Sequence, residues 1–316
     1  MFSQTTEGLR KKQFIGSMAV LRSESGGSAW QIGSKKDLDI FPKSTEQFNN
    51  IPNIAINHVF KEYKPSQPLF NSNSKILTMG SCFADRLRLF LRMSGHAAEN
   101  IDVPAGLNNS YAIRQFIEWA LTGKQASDGY WYDEADGEII KYTTPSDHQL
   151  FRSAFQEMDG FVVTLGLSEV WRDKKTGGVF WRGVPKEMFN TEEHEYVLTS
   201  STENAQNIQR IIELIREHCG DKPIILTLSP VPLAATFSGK PCISADCVSK
   251  SILRVALNEI ESQEFDGVYY WPSFELVKWV GAHTNFNAYG GDGSSRHVAE
   301  GLVKLIIDQF VGSFFD

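Results

Sequence analysis

Apolar positions along the chain follow two alternating patterns. Short, nearly continuous runs occur at Ile76, Leu77 and Met79, at Phe161 to Leu165, at Pro223 to Leu228 and at Gly267 to Trp271. Such β-branched and aromatic runs suit strands buried on both faces of a parallel sheet. Between them, apolar residues recur at helical spacing. Examples are Phe83, Leu87, Phe90 and Leu91, then Ile113, Phe116, Ile117, Ala120 and Leu121, then Ile208, Ile211, Ile212 and Ile215, which Gly220 stops. Further helices are expected from about Asp147 to Met158, from about Asp246 to Glu261 and from Arg296 to Phe310, and a short strand over Ala97 to Val103. Ser110 is a candidate cap for the helix that follows it. Strand and helix alternate, so right-handed crossovers predict an α/β fold, a three-layer α/β/α sandwich with a central parallel sheet.

Two stretches depart from this alternation. Residues 1 to 70 carry the flexible run Ser25-Gly26-Gly27-Ser28 and show no sustained period, which marks an N-terminal extension ahead of a main domain over 71 to 316. Trp30, Ile40, Phe41 and the run Ile54 to Phe60 suggest that parts of the extension pack onto the body. Lys124 to Thr144, with Tyr130, Trp131 and Tyr132, forms an irregular or hairpin insertion. Trp171 to Val184 has the form of a second hairpin, its tip at Lys175-Thr176-Gly177-Gly178. Aromatics in such insertions border a cleft or cover core edges, and the sequence does not choose.

Composition narrows the function. The 316 residues carry a formal net charge of -7 and no long basic run, so attraction to nucleic acid or to anionic membranes is not expected. The four cysteines, Cys82, Cys219, Cys242 and Cys247, form no CxxC pair and no zinc spacing, which suggests free thiols in a reducing compartment. The N-terminus lacks an apolar leader segment, and no run approaches 18 apolar residues. A cytoplasmic protein without membrane insertion is the expectation.

The chemistry concentrates at Ser81. It stands between the first clear strand and a helix, where unpaired backbone N–H groups favour a developing oxyanion. Taken alone, the residue is also an ordinary helix cap. Ligands of open parallel sheets sit at the carboxyl ends of strands, and the other ends here carry Asn108, Asn109, Ser168 and Ser229. Cys82, beside Ser81, is a rival nucleophile because a helix N-terminus favours a thiolate. Glu169 and Glu275 are left unranked among structural, binding and solvated roles, and His148 and His283 are expected at the surface.

Gly80-Ser81-Cys82-Phe83-Ala84 resembles the pentapeptide that names the GSCFA-domain family, which is similar to the SGNH/GDSL hydrolases and acyltransferases. The likeness continues in order through Asn109-Ser110-Tyr111 with Arg114-Gln115, Thr164 to Trp171, Ser229-Pro230-Val231-Pro232-Leu233, Lys250-Ser251 and Trp271-Pro272-Ser273-Phe274-Glu275. It spans about residues 70 to 300. The resemblance implies an SGNH-like, flavodoxin-like sheet and a serine esterase or O-acyltransferase with no metal or organic cofactor. Ser81 would be the nucleophile, its own N–H facing the oxyanion. Asn108, Asn109 and Ser168 would supply further oxyanion or binding contacts, although Ser168 stands where the superfamily has Asn. His297 would be the general base. Its usual acidic partner lies three residues upstream, but position 294 is Ser, so Asp292 is the candidate acid. The implied substrate is a small-molecule or carbohydrate acyl ester. The alternatives are a non-catalytic binding or scaffold protein of polysaccharide assembly on the same fold, and a Cys82 thiol enzyme.

Overall fold

The computed structural model describes residues 39–101, 106–124, 148–181, 183–290 and 292–316, together with the backbone of five strands in the remaining stretches. Trp30, Pro104 and the side chains of Tyr130, Trp131 and Tyr132 lie outside these residues. The chain divides into two compact units, Met1–Gln47 and Phe48–Asp316. The first contains a three-stranded antiparallel sheet of β1 (Gln13–Ile15), β2 (Met18–Val20) and β3 (Ile32–Gly33).

The second unit opens with the short helix α1 (Ile51–Ile54) and alternates thereafter. Its elements are β4 (Lys75–Gly80), α2 (Cys82–Met93), β5 (Ala97–Asn100), α3 (Ser110–Thr122), β6 (Gly129–Ala135), β7 (Glu138–Tyr142), α4 (Gln149–Glu157) and β8 (Gly160–Leu165). Then come β9 (Glu169–Asp173), β10 (Val179–Phe180), β11 (His194–Leu198), α5 (Ser201–Cys219), β12 (Ile224–Leu228), α6 (Cys242–Glu261), β13 (Val268–Trp271), α7 (Ser273–Glu275) and α8 (Glu300–Phe314).

The main sheet has the order β13-β12-β8-β4-β5, and every pair in it is parallel. Alternate side chains leave it on opposite faces. Leu77, Met79, Val163 and Leu226 enter one core with Phe116 of α3, Ile211 of α5 and Leu253 of α6. Ile76, Val162, Ile225 and Trp271 enter the other with Phe83 of α2 and Ile306 and Phe310 of α8. These are the two faces of a three-layer sandwich, and every residue of β8 and β12 is buried. Phe60, from the stretch before β4, stacks on Trp271 at 4.2 Å.

A doubly wound sheet reverses its winding between its first strand and the neighbour that carries the chain the other way, and a crevice opens at the carboxyl ends there. In this chain those strands are β4 and β8. Ser81 follows one and Gly166-Leu167-Ser168 the other.

A smaller sheet, β11-β9-β10-β6-β7, is mostly antiparallel, with a parallel pair between β10 and β6. It contains both expected hairpins. The tip after β9 is closed by Asp173 Oδ1, which accepts from the N–H groups of Lys175 and Thr176 at 3.0 and 2.9 Å. Strand β11 had no clear sequence signal, because His194-Glu195-Tyr196-Val197-Leu198 is half polar.

Three boundaries differ from expectation. Helix α3 is capped by Asn109, whose side chain accepts from Ala112 N–H, while the Ser110 hydroxyl donates to Asn204 instead. Helix α6 begins at Cys242, directly after Pro241. Helix α8 begins at Glu300 rather than near Arg296, because the segment before it is extended. Val298 bridges Tyr289, and the His297 carbonyl accepts from Gly290 N–H at 2.8 Å. No helix among the described residues is long and apolar enough to cross a membrane.

Gly80 allows β4 and β8 to meet at the crevice. Its φ is +117°, and a Cβ there would lie 2.0 Å from the Thr164 carbonyl oxygen. Gly80→Ala is therefore expected to destabilise the fold by roughly 3 kcal/mol or more, by strain plus overlap. Gly95, also at positive φ but facing open space, is expected to cost about 1 kcal/mol when changed to Ala. Urea unfolding of both variants checks the contrast.

Candidate active site

The geometry at Ser81 follows from that close approach. Ser81 is extended (φ -70°, ψ 170°) and caps α2, its Oγ accepting from Phe83 N–H at 3.3 Å. The left-handed turn at Gly80 sends the Ser81 N–H back to Thr164, where it donates to the carbonyl oxygen at 3.1 Å and to Oγ1 at 2.8 Å. Thr164 Oγ1 also lies 3.1 Å from Ser81 Oγ and donates to the Met79 carbonyl at 3.3 Å. A hydroxyl has one proton to give, so with the Thr164 proton on Met79 the Ser81 hydroxyl donates to Thr164. In this rotamer Ser81 is held by the sheet.

Across helix α2, His297 Nδ1 lies 2.6 Å from Asp292 Oδ2. The same oxygen accepts from Arg86 Nη2 at 2.6 Å, and Asp292 Oδ1 accepts from Ser294 N–H at 3.0 Å. The His297 hydrogen bond, then the Ser294 amide, hold the Asp292 carboxyl below its ordinary value of 3.8. The carboxyl therefore lies five positions before the imidazole instead of three, and the turn at Gly293 (φ +85°) closes the longer loop.

Ser81 and His297 border different cavities. Ser81 faces a cleft of about 310 Å³, with Asn109, Glu169, Trp171 and Arg296 among its walls. His297 faces a second, of about 290 Å³, with Asp85, Arg86 and Phe83. Cys82 and Val231 line both, so they form the seam between them. No hydrogen bond joins Ser81 to His297 in this arrangement; Ser81 Oγ is engaged by Thr164 and Phe83.

The expected oxyanion donors are mostly committed elsewhere. The Ser81 N–H is spent on Thr164, which corrects the expectation that it faces the cleft. The Asn108 carbonyl accepts from Gly166 and Leu167 N–H at 2.9 and 3.0 Å, so it ties two loops together. Ser168 is fully buried, and its hydroxyl donates to Ser249 of α6 rather than facing the cleft. Asn109 is different. Its Oδ1 caps α3, its residue lines the cleft, and its Nδ2 has no partner among the described residues. It is the available side-chain donor beside Ser81. Ser229 lines the same cleft, with its Oγ accepting from Val231 N–H.

Lys250 belongs to the ordered likeness, but the sequence assigns it no role. It is 1% exposed, and its ammonium donates to the Gly166 carbonyl from below the crevice. Burial pushes its pKa down to about 7, with Asp246 opposing that shift. With Ser249 on Ser168, it ties the loop after β8 to α6. A lysine on the same helix face as Leu253, Ala256 and Leu257 was the available signal. The remaining candidates have structural partners. Glu275 pairs with Arg254 and accepts from Tyr270, His283 stacks on Phe48, and His148 lies near Trp119. Cys82 is an exposed free thiol. Among the described residues, no group of three or more His, Cys, Asp or Glu could hold a metal ion.

The depressed Asp292 pKa sets a pH test. A carboxyl whose folded pKa is lowered stabilises the fold above its unfolded pKa and loses that contribution as pH falls through the folded value. Wild type is therefore expected to exceed Asp292→Asn in stability at pH 6, with the gap closing below about pH 4, the unfolded aspartate range. Thermal unfolding of both proteins across pH 2.5 to 6 checks this.

No curated protein matches the chain. Among solved structures it is similar to a Streptococcus pneumonia protein whose name refers to platelet activating factor, at 12% identity and TM-score 0.42, covering 85% of this chain and 92% of that one. It is also similar to a GDSL-like lipase from Bacteroides thetaiotaomicron, at 14% identity and TM-score 0.38, covering 84% and 98%. A third is a carbohydrate esterase family 2 enzyme with a carbohydrate binding domain from Corynascus thermopiles, at 11% identity and TM-score 0.36, covering 79% and 68%. The GSCFA family model matches residues 75–310, from the first residue of β4 into α8, and the chain belongs to the GSCFA family.

Proposed function

We propose that this chain is a serine esterase or O-acyltransferase that acts on acyl esters through an acyl-serine intermediate. The observation that carries the reading is a serine at the switch point of the sheet with a histidine–carboxylate pair across the first turns of the same helix. In the acylation step Ser81 turns from Thr164 towards the seam at Cys82 and Val231. His297 Nε2 takes the hydroxyl proton as Oγ forms its bond to the ester carbonyl carbon. Asp292 holds the imidazole by Nδ1 and stabilises the cation that forms. Asn109 Nδ2 donates to the oxyanion. When the carbonyl re-forms, the C–O bond to the alcohol breaks and His297 returns the proton to the leaving oxygen. Water or an acceptor hydroxyl then takes the acyl group by the same steps in reverse.

Arg86 gives Asp292 a cationic partner beside the imidazole, so the carboxyl is held on the nucleophile helix as well as on its own loop. The Ser81 backbone is held by α2 and by Thr164.

A second reading has a specific observation in its favour: Cys82 borders the cavity that His297 borders, and its thiol is exposed. A fluorophosphonate probe separates the two. Labelling at Ser81, abolished by Ser81→Ala, retained in Cys82→Ala and slowed ~10²- to 10⁴-fold in His297→Ala is expected for the serine mechanism. Adducts mapped by mass spectrometry to Cys82, or undiminished in Ser81→Ala, would replace it with the thiol reading. A protein that neither labels nor turns over short acyl esters would be a binding protein on this fold.

A further inference from the structure

The cleft beside Ser81 contains a buried carboxyl group that the acyl chemistry does not use. Glu169, the first residue of β9, is 5% exposed and lines the same cleft as Ser81. It accepts from the Tyr196 hydroxyl and, at Oε1, from Thr236 Oγ1 at 3.1 Å. Burial and then the bond to Glu169 push the Tyr196 phenol up to about 12, so it stays a donor. Among the described residues no Lys, Arg or His pairs with Glu169. Two carboxyl oxygens offer about four acceptor sites, and the two hydroxyls occupy two. Glu169 lines a cleft whose other walls are mainly apolar.

Those walls include Trp171, Tyr196 and Phe237. Each pair of these rings packs edge to face, at 5.1 Å for Trp171 and Tyr196, 5.0 Å for Trp171 and Phe237 and 5.5 Å for Tyr196 and Phe237. Rings in contact with one another make a wall, not a cage around a cation. The cleft also holds Arg296, whose Nε and Nη2 both donate to the Pro232 carbonyl. One carboxyl and one guanidinium leave the cleft without a net charge to select a strongly charged ligand of either sign. A long aliphatic chain would bury Glu169 with nothing to replace its water.

The distance to the nucleophile is short. A Cβ on Gly166 would sit 3.3 Å from Ser81 Cβ, and Glu169 lies three residues further on, about 11 Å of chain at most. Ser81 and Glu169 therefore line one cleft within the length of a small ligand.

Building on the reading of Ser81 as an acyl-ester nucleophile, we propose that Glu169, with the wall of Trp171 and Phe237, forms a subsite for an uncharged, polyhydroxylated ring such as a neutral sugar. Two ring hydroxyls donate to the open acceptor sites of Glu169, and the ring's C–H face lies on the aromatic wall. The acyl ester then extends from that ring towards Ser81.

Binding tests this apart from turnover. Dissociation constants are measured by calorimetry and saturation-transfer NMR on Ser81→Ala protein, which leaves the ester intact. The probes are an O-acetylated methyl glucoside, its uronate counterpart, acetylcholine and methyl octanoate. The neutral glucoside is expected to bind at least tenfold more tightly than the other three, and Glu169→Gln is expected to weaken it at least fivefold. Phe237 is 66% exposed, so Phe237→Ala leaves the core intact and is expected to weaken the glucoside similarly. Absence of glucoside binding, equal or tighter binding of any other probe, or glucoside binding unchanged in either variant overturns the subsite. Failure of the nucleophile reading shows separately, as absent labelling at Ser81 while the glucoside still binds.

Discussion

Everything at the crevice depends on how closely β4 and β8 approach at Gly80. The missing side chain there admits the Thr164 carbonyl, and the left-handed turn directs the next N–H back across the sheet. Two consequences follow from one backbone conformation. The Ser81 hydroxyl is delivered to the first turn of α2, and the Ser81 amide is removed from the donors that face the cleft. A residue with a Cβ would have to separate the two strands whose divergence makes the crevice.

Polar groups around the crevice are consumed by structure before they are offered to a ligand. Loop amides from β8 go to the Asn108 carbonyl, Ser168 goes to Ser249, and Lys250 goes to the Gly166 carbonyl. Buried polar groups left unpaired are costly, so a rim made of strand ends satisfies most of its own donors. What stays open is correspondingly informative: the Asn109 amide, the outer nitrogen of His297, and the unfilled acceptor sites of Glu169. These groups differ in kind, and together they would serve an oxyanion, a proton in transit and ligand hydroxyls.

Electrostatics joins the parts that the chain keeps far apart. Arg86 and Asp292 are 206 positions apart, yet their ion pair sets the loop that carries Asp292 and His297 against helix α2. Asp292 serves an imidazole and a guanidinium through the same oxygen. Its depressed pKa reflects hydrogen bonds to His297 and the Ser294 amide, with a smaller electrostatic contribution from Arg86.

The sandwich and the place of Ser81 were legible in the sequence, because both rest on short-range information. Helical and strand periods, a Gly-Ser turn and prolines after β12 mark elements and their ends within windows of a few residues. The ends of α3 and α8 were less legible, since Asn109 and Ser110 are equally good caps and Val298 fits a helical stripe as well as it fits the bridge to Tyr289. The sequence by itself determined the layers, their order and the serine between β4 and α2. Only the tertiary structure decided that Ser168 turns inward, that the Ser81 amide is spent, that Lys250 lies beneath the crevice and that Glu169 meets Tyr196 and Thr236 in the cleft. Those outcomes depend on which side chains meet across the fold, and a local pattern of apolar and polar residues does not carry that information.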